Sequence, residues 1–193
     1  MKWIVVTQPY EVSREAQLIE RLLDMGVDYL HLRRPQMGVE GYESLLQSIP
    51  SSLHPRLTLH DHFELSERYE VGGLHLNSRQ DSIPDTFCGR VSRSCHLLQE
   101  VEEWKSHVDY LFLSPIFDSI SKSDYRAAFT HEELSVASAC GLIDDKVVAL
   151  GGVKLDNIPY LRQLGFGGVA LLGDVWQRID NVEYLKKIKD AVR

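Results

Sequence analysis

The feature that most constrains this chain is a short apolar run ending in glycine, made twice near the C-terminal end. Val147-Val148-Ala149-Leu150 leads into Gly151-Gly152, and Val169-Ala170-Leu171-Leu172 leads into Gly173. An unbroken apolar run of this length has the pattern of a strand buried on both faces, the habit of parallel sheets covered by helices. Between the two runs, Leu155, Ile158, Leu161 and Leu164 recur at helical spacing. Glycine lets the backbone turn sharply and leaves N–H groups bare to a ligand. In (β/α)8 barrels a phosphate often sits on the loops after the last two strands, with N–H groups aimed at it. The plainer reading of either glycine turn is a tight βα connection. Two of them at this separation point to a phosphate cradle, and Gly152→Asp is expected to abolish phosphate binding by placing a carboxylate in it.

The rest of the chain repeats the same unit. Residues 3–7 read as a strand and 13–25 as a helix, with Ala16, Ile19, Leu22 and Leu23 on one face, Ser13 as N-cap and Gly26 at its end. Further strands read at 28–32, 56–60, 72–76, 90–94 and 108–113, the fifth weak by composition. Helical segments read at 39–49, at 63–69, around Leu97, Leu98, Val101 and Trp104, at 130–140 behind a Thr130 cap, and at 182–192 with Leu185, Ile188 and Val192 inward. Segments 77–88 and 114–129 read as polar loops. Strict alternation implies a parallel sheet, and eight units close into a barrel. The expected fold is of the α/β class: one compact (β/α)8 TIM barrel, residues 1–193 as a single domain. The rival, an open doubly wound sheet, lacks a GxGxxG fingerprint after the first strand.

Composition narrows the function. A net charge of −7 leaves no basic footprint for nucleic acid. Cys88, Cys95 and Cys140 are odd in number and show no CxxC spacing, which argues against a disulfide framework or a structural zinc site and for a reducing compartment. The N-terminus runs straight into a strand rather than a signal peptide, and no apolar run is long enough to span a membrane. The expected location is the cytoplasm.

In a barrel, residues just past the strand ends share one mouth. Those positions carry His31, Arg33 and Arg34; His60, Asp61 and His62; His75 and Asn77; Ser94 and His96; then Ser114, Ser119, Ser121 and Lys122. Histidines, cations and hydroxyls with few acids suit an anionic, phosphorylated small molecule. Each residue also has a plainer reading. Arg33 serves as an ion-pair partner, His31 and His75 as hydrogen-bonded core residues, and Lys122 as a solvated charge rather than part of a lid. Cys95 and Cys140 read as inert, and Tyr42, Trp104 and Trp176 as packing. His60 and His62 have the i, i+2 spacing of a metal-hydrolase pair, but no further carboxylate ligands accompany them.

Taken in order, these motifs resemble those of thiamine phosphate synthase and the related thiazole tautomerase, over nearly the whole chain. His31-Leu32-Arg33-Arg34-Pro35 resembles the family's Gln-Leu-Arg-x-Lys turn, and His60-Asp61 its Asn-Asp. Gly73-Leu74-His75-Leu76 resembles its Gly-Val-His-Leu, and Ser94-Cys95-His96 its Ser-x-His. The segment from Ser114 through Phe117, Ser119 and Ser121 to Lys122 resembles its Gly-Pro-x-Phe-x-Thr-x-Thr-Lys loop. Leu150-Gly151-Gly152-Val153 and Gly168-Val169-Ala170 resemble its closing phosphate motifs.

The resemblance implies a synthase that joins hydroxymethylpyrimidine diphosphate to thiazole phosphate and releases pyrophosphate, with Mg2+ and cations holding the departing diphosphate. It implies that Arg33 and Lys122 hold the diphosphate, that Asp61 binds Mg2+, and that Ser94 lies near the pyrimidine. Gly151, Gly152, Leu172 and Gly173 would give N–H groups to the thiazole phosphate, with Ser119 and Ser121 beside them. It also hints at a homo-oligomer. The departures fall on the diphosphate half. The turn lysine is Pro35, with Arg34 the nearest replacement, and the second metal aspartate falls at about Gln80, beside Asp81 in shifted register. The alternatives are a tautomerase acting on carboxythiazole phosphate, with His60, His75 or His96 as acid–base group, and a phosphate-binding homologue without chemistry. The tautomerase's expected loop histidine is Pro115 here.

Overall fold

Eight strands form in chain order: β1 (Lys2–Val6), β2 (Tyr29–Leu32), β3 (Leu57–Leu59), β4 (Gly73–Leu76), β5 (Arg90–Cys95), β6 (Tyr110–Leu113), β7 (Val147–Leu150) and β8 (Gly168–Leu171). The computed structural model describes residues 1–118 and 126–193. Each strand pairs in parallel with the next, and β8 returns to β1 with Lys2 opposite Gly168 and Val5 opposite Leu171. The sheet is therefore a closed barrel, the TIM barrel that the alternation predicts. β5, weak by composition, is the longest strand at 6 residues. Its pairing with both β4 and β6 overrides its poor propensity.

The helices are α1 (Glu15–Met25), α2 (Val39–Ser48), α3 (Ser66–Tyr69), α4 (Leu98–Trp104), α5 (His131–Ala139), α6 (Ile158–Gln163), α7 (Gly173–Trp176) and α8 (Val182–Val192). Gly26 ends α1 at φ 108, and Thr130 caps α5 through a reciprocal bond with Glu133. Ser13 does not cap α1. Arg14 takes that position at φ 57 without a side-chain bond, and the helix starts at Glu15, buried against Arg34. α7 is not among the helical segments expected from the sequence. The chain leaves the strand at Leu172 and turns into a short helix, tied by Asp174 to Tyr184, Arg178 and the Leu155 N–H. No helix among the described residues is long and apolar enough to cross a membrane.

Strand period 2 divides the core in two. Trp3, Val5, Leu30, Leu32, Leu57, Leu59, Leu111, Leu113, Val147, Ala149, Val169 and Leu171 join the layer shared with the helices. Each such leucine, fully buried, contributes about 1.5–3 kcal/mol. Ile4, Val6, Tyr110, Phe112, Val148 and Ala170 form a separate cluster inside the barrel. Those six come from β1, β6, β7 and β8. The alternate positions of β2 to β5 carry buried His31, Thr58, His75 and Ser92 instead. The interior is thus apolar on one side and polar on the other.

Candidate active site

The polar side is a hydrogen-bonded histidine cluster. His31 Nδ1 lies 2.8 Å from His60 Nε2, and His31 Nε2 lies 2.7 Å from the Tyr110 hydroxyl. His75 is held at both nitrogens, by Ser92 Oγ at 2.8 Å and Ser94 Oγ at 2.8 Å. The His60 and His75 rings stack at 4.1 Å. Burial holds all three imidazoles neutral, with His31 and His60 well below the usual histidine range. His75 is lowered to about 3 by burial and then by the guanidiniums of Arg33, Arg93 and Arg79. His31 and His75 are the core residues of the plainer reading.

Above the cluster the strand ends open into a cavity of about 490 Å³. It brings together Arg33, His60, Ser94, Gly151, Gly152, Leu172 and Gly173, seven of the residues picked from sequence. Asp61 does not line it. Ser119, Ser121 and Lys122 lie outside the described residues. Two cations missing from the predicted set, Arg79 and Arg93, line it as well. Arg93 lies 3.8 Å over the Trp104 ring, and its buried Nη1 has no partner among the described residues. Arg79 comes from the turn after β4, where a search for carboxylate ligands passes over it. Arg34, the proposed replacement for the missing lysine, instead turns away from the mouth. It is 1% exposed and bonds Glu15 and the carbonyls of Gln8 and Tyr10.

The two glycine turns form the wall opposite the arginines. Gly151 and Gly152 stand at φ 91 and φ 64. A Cβ on Gly152 would lie 2.4 Å from the Asp118 carbonyl and 2.6 Å from that of Phe117. The glycines are therefore required by backbone conformation and by the β6 loop packed against them, so Gly152→Asp would damage the loop whatever binds there. Among the described residues no acceptor takes the N–H of Gly152 or Gly173. Both donors belong to residues that line the cavity.

The resemblance implies Mg2+, so the oxygen donors decide whether the site fits it. Asp61 Oδ1 accepts from Arg79 Nε at 3.0 Å and Nη2 at 3.0 Å, and Oδ2 accepts from the Tyr42 hydroxyl at 3.3 Å. The acids that line the cavity, Glu100 and Asp174, are also committed. Glu100 caps α4 through the His96 and Leu97 N–H groups, and Asp174 holds Tyr184 and Arg178. The one metal-compatible cluster among the described residues is His31, His60 and His75, all nitrogen, with ligand atoms within 4.8 Å of one another. Mg2+ wants hard oxygen ligands in octahedral array. The described residues do not fit it. The His60–His62 pair does not form either, because His62 Nε2 bonds the Met37 carbonyl at 2.9 Å.

Residues 3–175 match the profile of the family described as thiamine monophosphate synthase. The chain belongs to this family. Its fold matches thiamine phosphate pyrophosphorylase from Bacteroides thetaiotaomicron with a TM-score of 0.87 and 40% identity, over 99% of this chain and 97% of that one. A thiamine-phosphate synthase from Bacteroides fragilis is 27% identical over 195 residues, covering 94% of each. A thiamine phosphate pyrophosphorylase from Pyrococcus furiosus shares the fold, with a TM-score of 0.74 at 18% identity over 100% of this chain and 97% of that one. The chain is thus an enzyme of thiamine biosynthesis, of the synthase kind, and the isomerase alternative is not favoured.

Proposed function

We propose that this family member couples hydroxymethylpyrimidine diphosphate to thiazole phosphate and releases pyrophosphate. The observation that carries this reading is a single cavity with two anion-seeking walls: glycine N–H groups after β7 and β8 that have no acceptor among the described residues, and the arginines on the β2, β4 and β5 side. One wall suits a terminal phosphate, the other a diphosphate. In the reaction the methylene carbon of the pyrimidine loses its bond to the diphosphate oxygen, which keeps the electron pair. The thiazole ring nitrogen supplies the pair for the new C–N bond. Negative charge grows on the departing diphosphate, and preorganised cations stabilise it.

Arg33, with Lys122 from the loop after β6, is assigned to the diphosphate, and the cavity adds Arg79 and Arg93 to that set. Gly151, Gly152, Leu172 and Gly173 are assigned to the thiazole phosphate, with Ser119 and Ser121 beside them. Ser94 is assigned to the pyrimidine, its hydroxyl oriented by His75. His60 belongs to the neutral floor beneath the reacting atoms. A buried neutral imidazole is a poor proton donor, which counts against the tautomerase reading. The setting implied is cytoplasmic, with small phosphorylated substrates.

The test is incubation of the purified protein with both substrates in Mg2+-containing buffer, followed by detection of thiamine phosphate. Formation above the no-enzyme control is expected. Its absence sinks the assignment.

A further inference from the structure

We propose that Arg79 holds the place of a divalent cation, so that the arginine wall binds pyrophosphate without metal. The inference rests on the reading above only in taking a diphosphate as the anion.

Three observations carry it. First, Asp61 is already neutralised by a side-on pair in which one carboxylate oxygen accepts from both Nε and Nη2 of Arg79, each at 3.0 Å. A divalent ion bound there would have to displace a guanidinium fixed by that pair. Second, Arg79 sits on a built turn. Asn77 and Gln80 exchange backbone bonds of 2.8 and 3.1 Å, and the Asn77 amide donates to the His60 and His75 carbonyls at 2.8 and 3.1 Å. Asn77 Oδ1 then accepts from the Arg79 N–H at 2.9 Å. The turn is pinned to the ends of β3 and β4, and it presents a cation where an acidic ligand is expected. Third, Arg33 and Arg93 line the same cavity as Arg79, and Arg93 is stacked on the Trp104 ring. Three guanidiniums against the carboxylates of Asp61 and Glu100 leave this wall positive before any ion arrives. The same field disfavours a divalent cation and favours an anion.

The experiment is calorimetric titration of the full chain with pyrophosphate, once in metal-stripped buffer with EDTA and once in excess Mg2+. Binding is expected in both, with dissociation constants within about threefold of each other. Arg79→Ala should weaken metal-free binding by at least about tenfold, the worth of one charge-assisted hydrogen bond. Arg79→Lys should recover part of it, with circular dichroism unchanged in both variants. Asp61→Asn should move the two arms equally, because it alters only how Arg79 is aimed. Binding that appears only with Mg2+, and that Asp61→Asn abolishes only in that arm, overturns the proposal. The product assay separates this inference from the function. Thiamine phosphate made with Mg2+ but not with EDTA keeps the function and removes the inference. Metal-free pyrophosphate binding without product does the reverse.

Discussion

Arg33 and Arg34 are neighbours in sequence with opposite environments. Arg33 reaches the cavity, while Arg34 is buried with Glu15 beside the Gln8 and Tyr10 carbonyls. A buried pair of this kind gains little over an apolar pair, yet removing one partner strands the other charge. Burial in fact raises the Glu15 pKa even with Arg34 alongside. We therefore expect Glu15→Ala to destabilise the fold by about 3–5 kcal/mol in urea unfolding, and the double variant Glu15→Leu/Arg34→Met to cost clearly less. Equal losses would mean that the pair is not what holds Arg34. That Arg34 leaves the mouth was not legible in the sequence, because it depends on Glu15, nineteen positions away in the first turn of α1.

At the scale of elements, the strand–glycine punctuation was the most legible signal, and it located one wall of the cavity. Two things about it were hidden. α7 has only 4 residues, too few for a helical period to show. The reason for Gly152 is the backbone of residues 117–118, a contact no local pattern announces. Arg79 was hidden differently: the turn after β4 carries a cation where motif matching looks for an acid. Since Gly152 variants disturb the loop, the cradle needs a probe that leaves the chain intact. Titration of the isotopically labelled protein with thiazole phosphate should shift the amide resonances of Gly152 and Gly173 downfield, as new acceptors reach donors that lack one. Shifts confined to other amides would remove the phosphate from this wall.

At the scale of the whole molecule, the barrel interior is a compromise between packing and polarity. The fold was legible because strand period and β–α alternation are local. The partners of the interior residues were not, since His31 meets Tyr110 across 79 positions and four strands. The result is three imidazoles kept neutral in the folded state, and this ties stability to pH. Unfolded, each histidine takes a proton as pH falls through 6.5; folded, His75 takes one only near 3, and His31 and His60 are lowered in the same direction. The unfolded state therefore binds more protons below pH 6.5, and by linkage stability is full above that value and is lost as pH falls toward 3. Each site contributes about 1.4 kcal/mol per pH unit once well below the unfolded pKa. Urea unfolding between pH 6 and 5 should show a steep loss of stability at constant m-value. His75→Gln should reduce that slope by about one proton's worth, about 1.4 kcal/mol per unit. A slope unchanged in the variant would mean that His75 is protonated in the native barrel and that burial does not hold it neutral there.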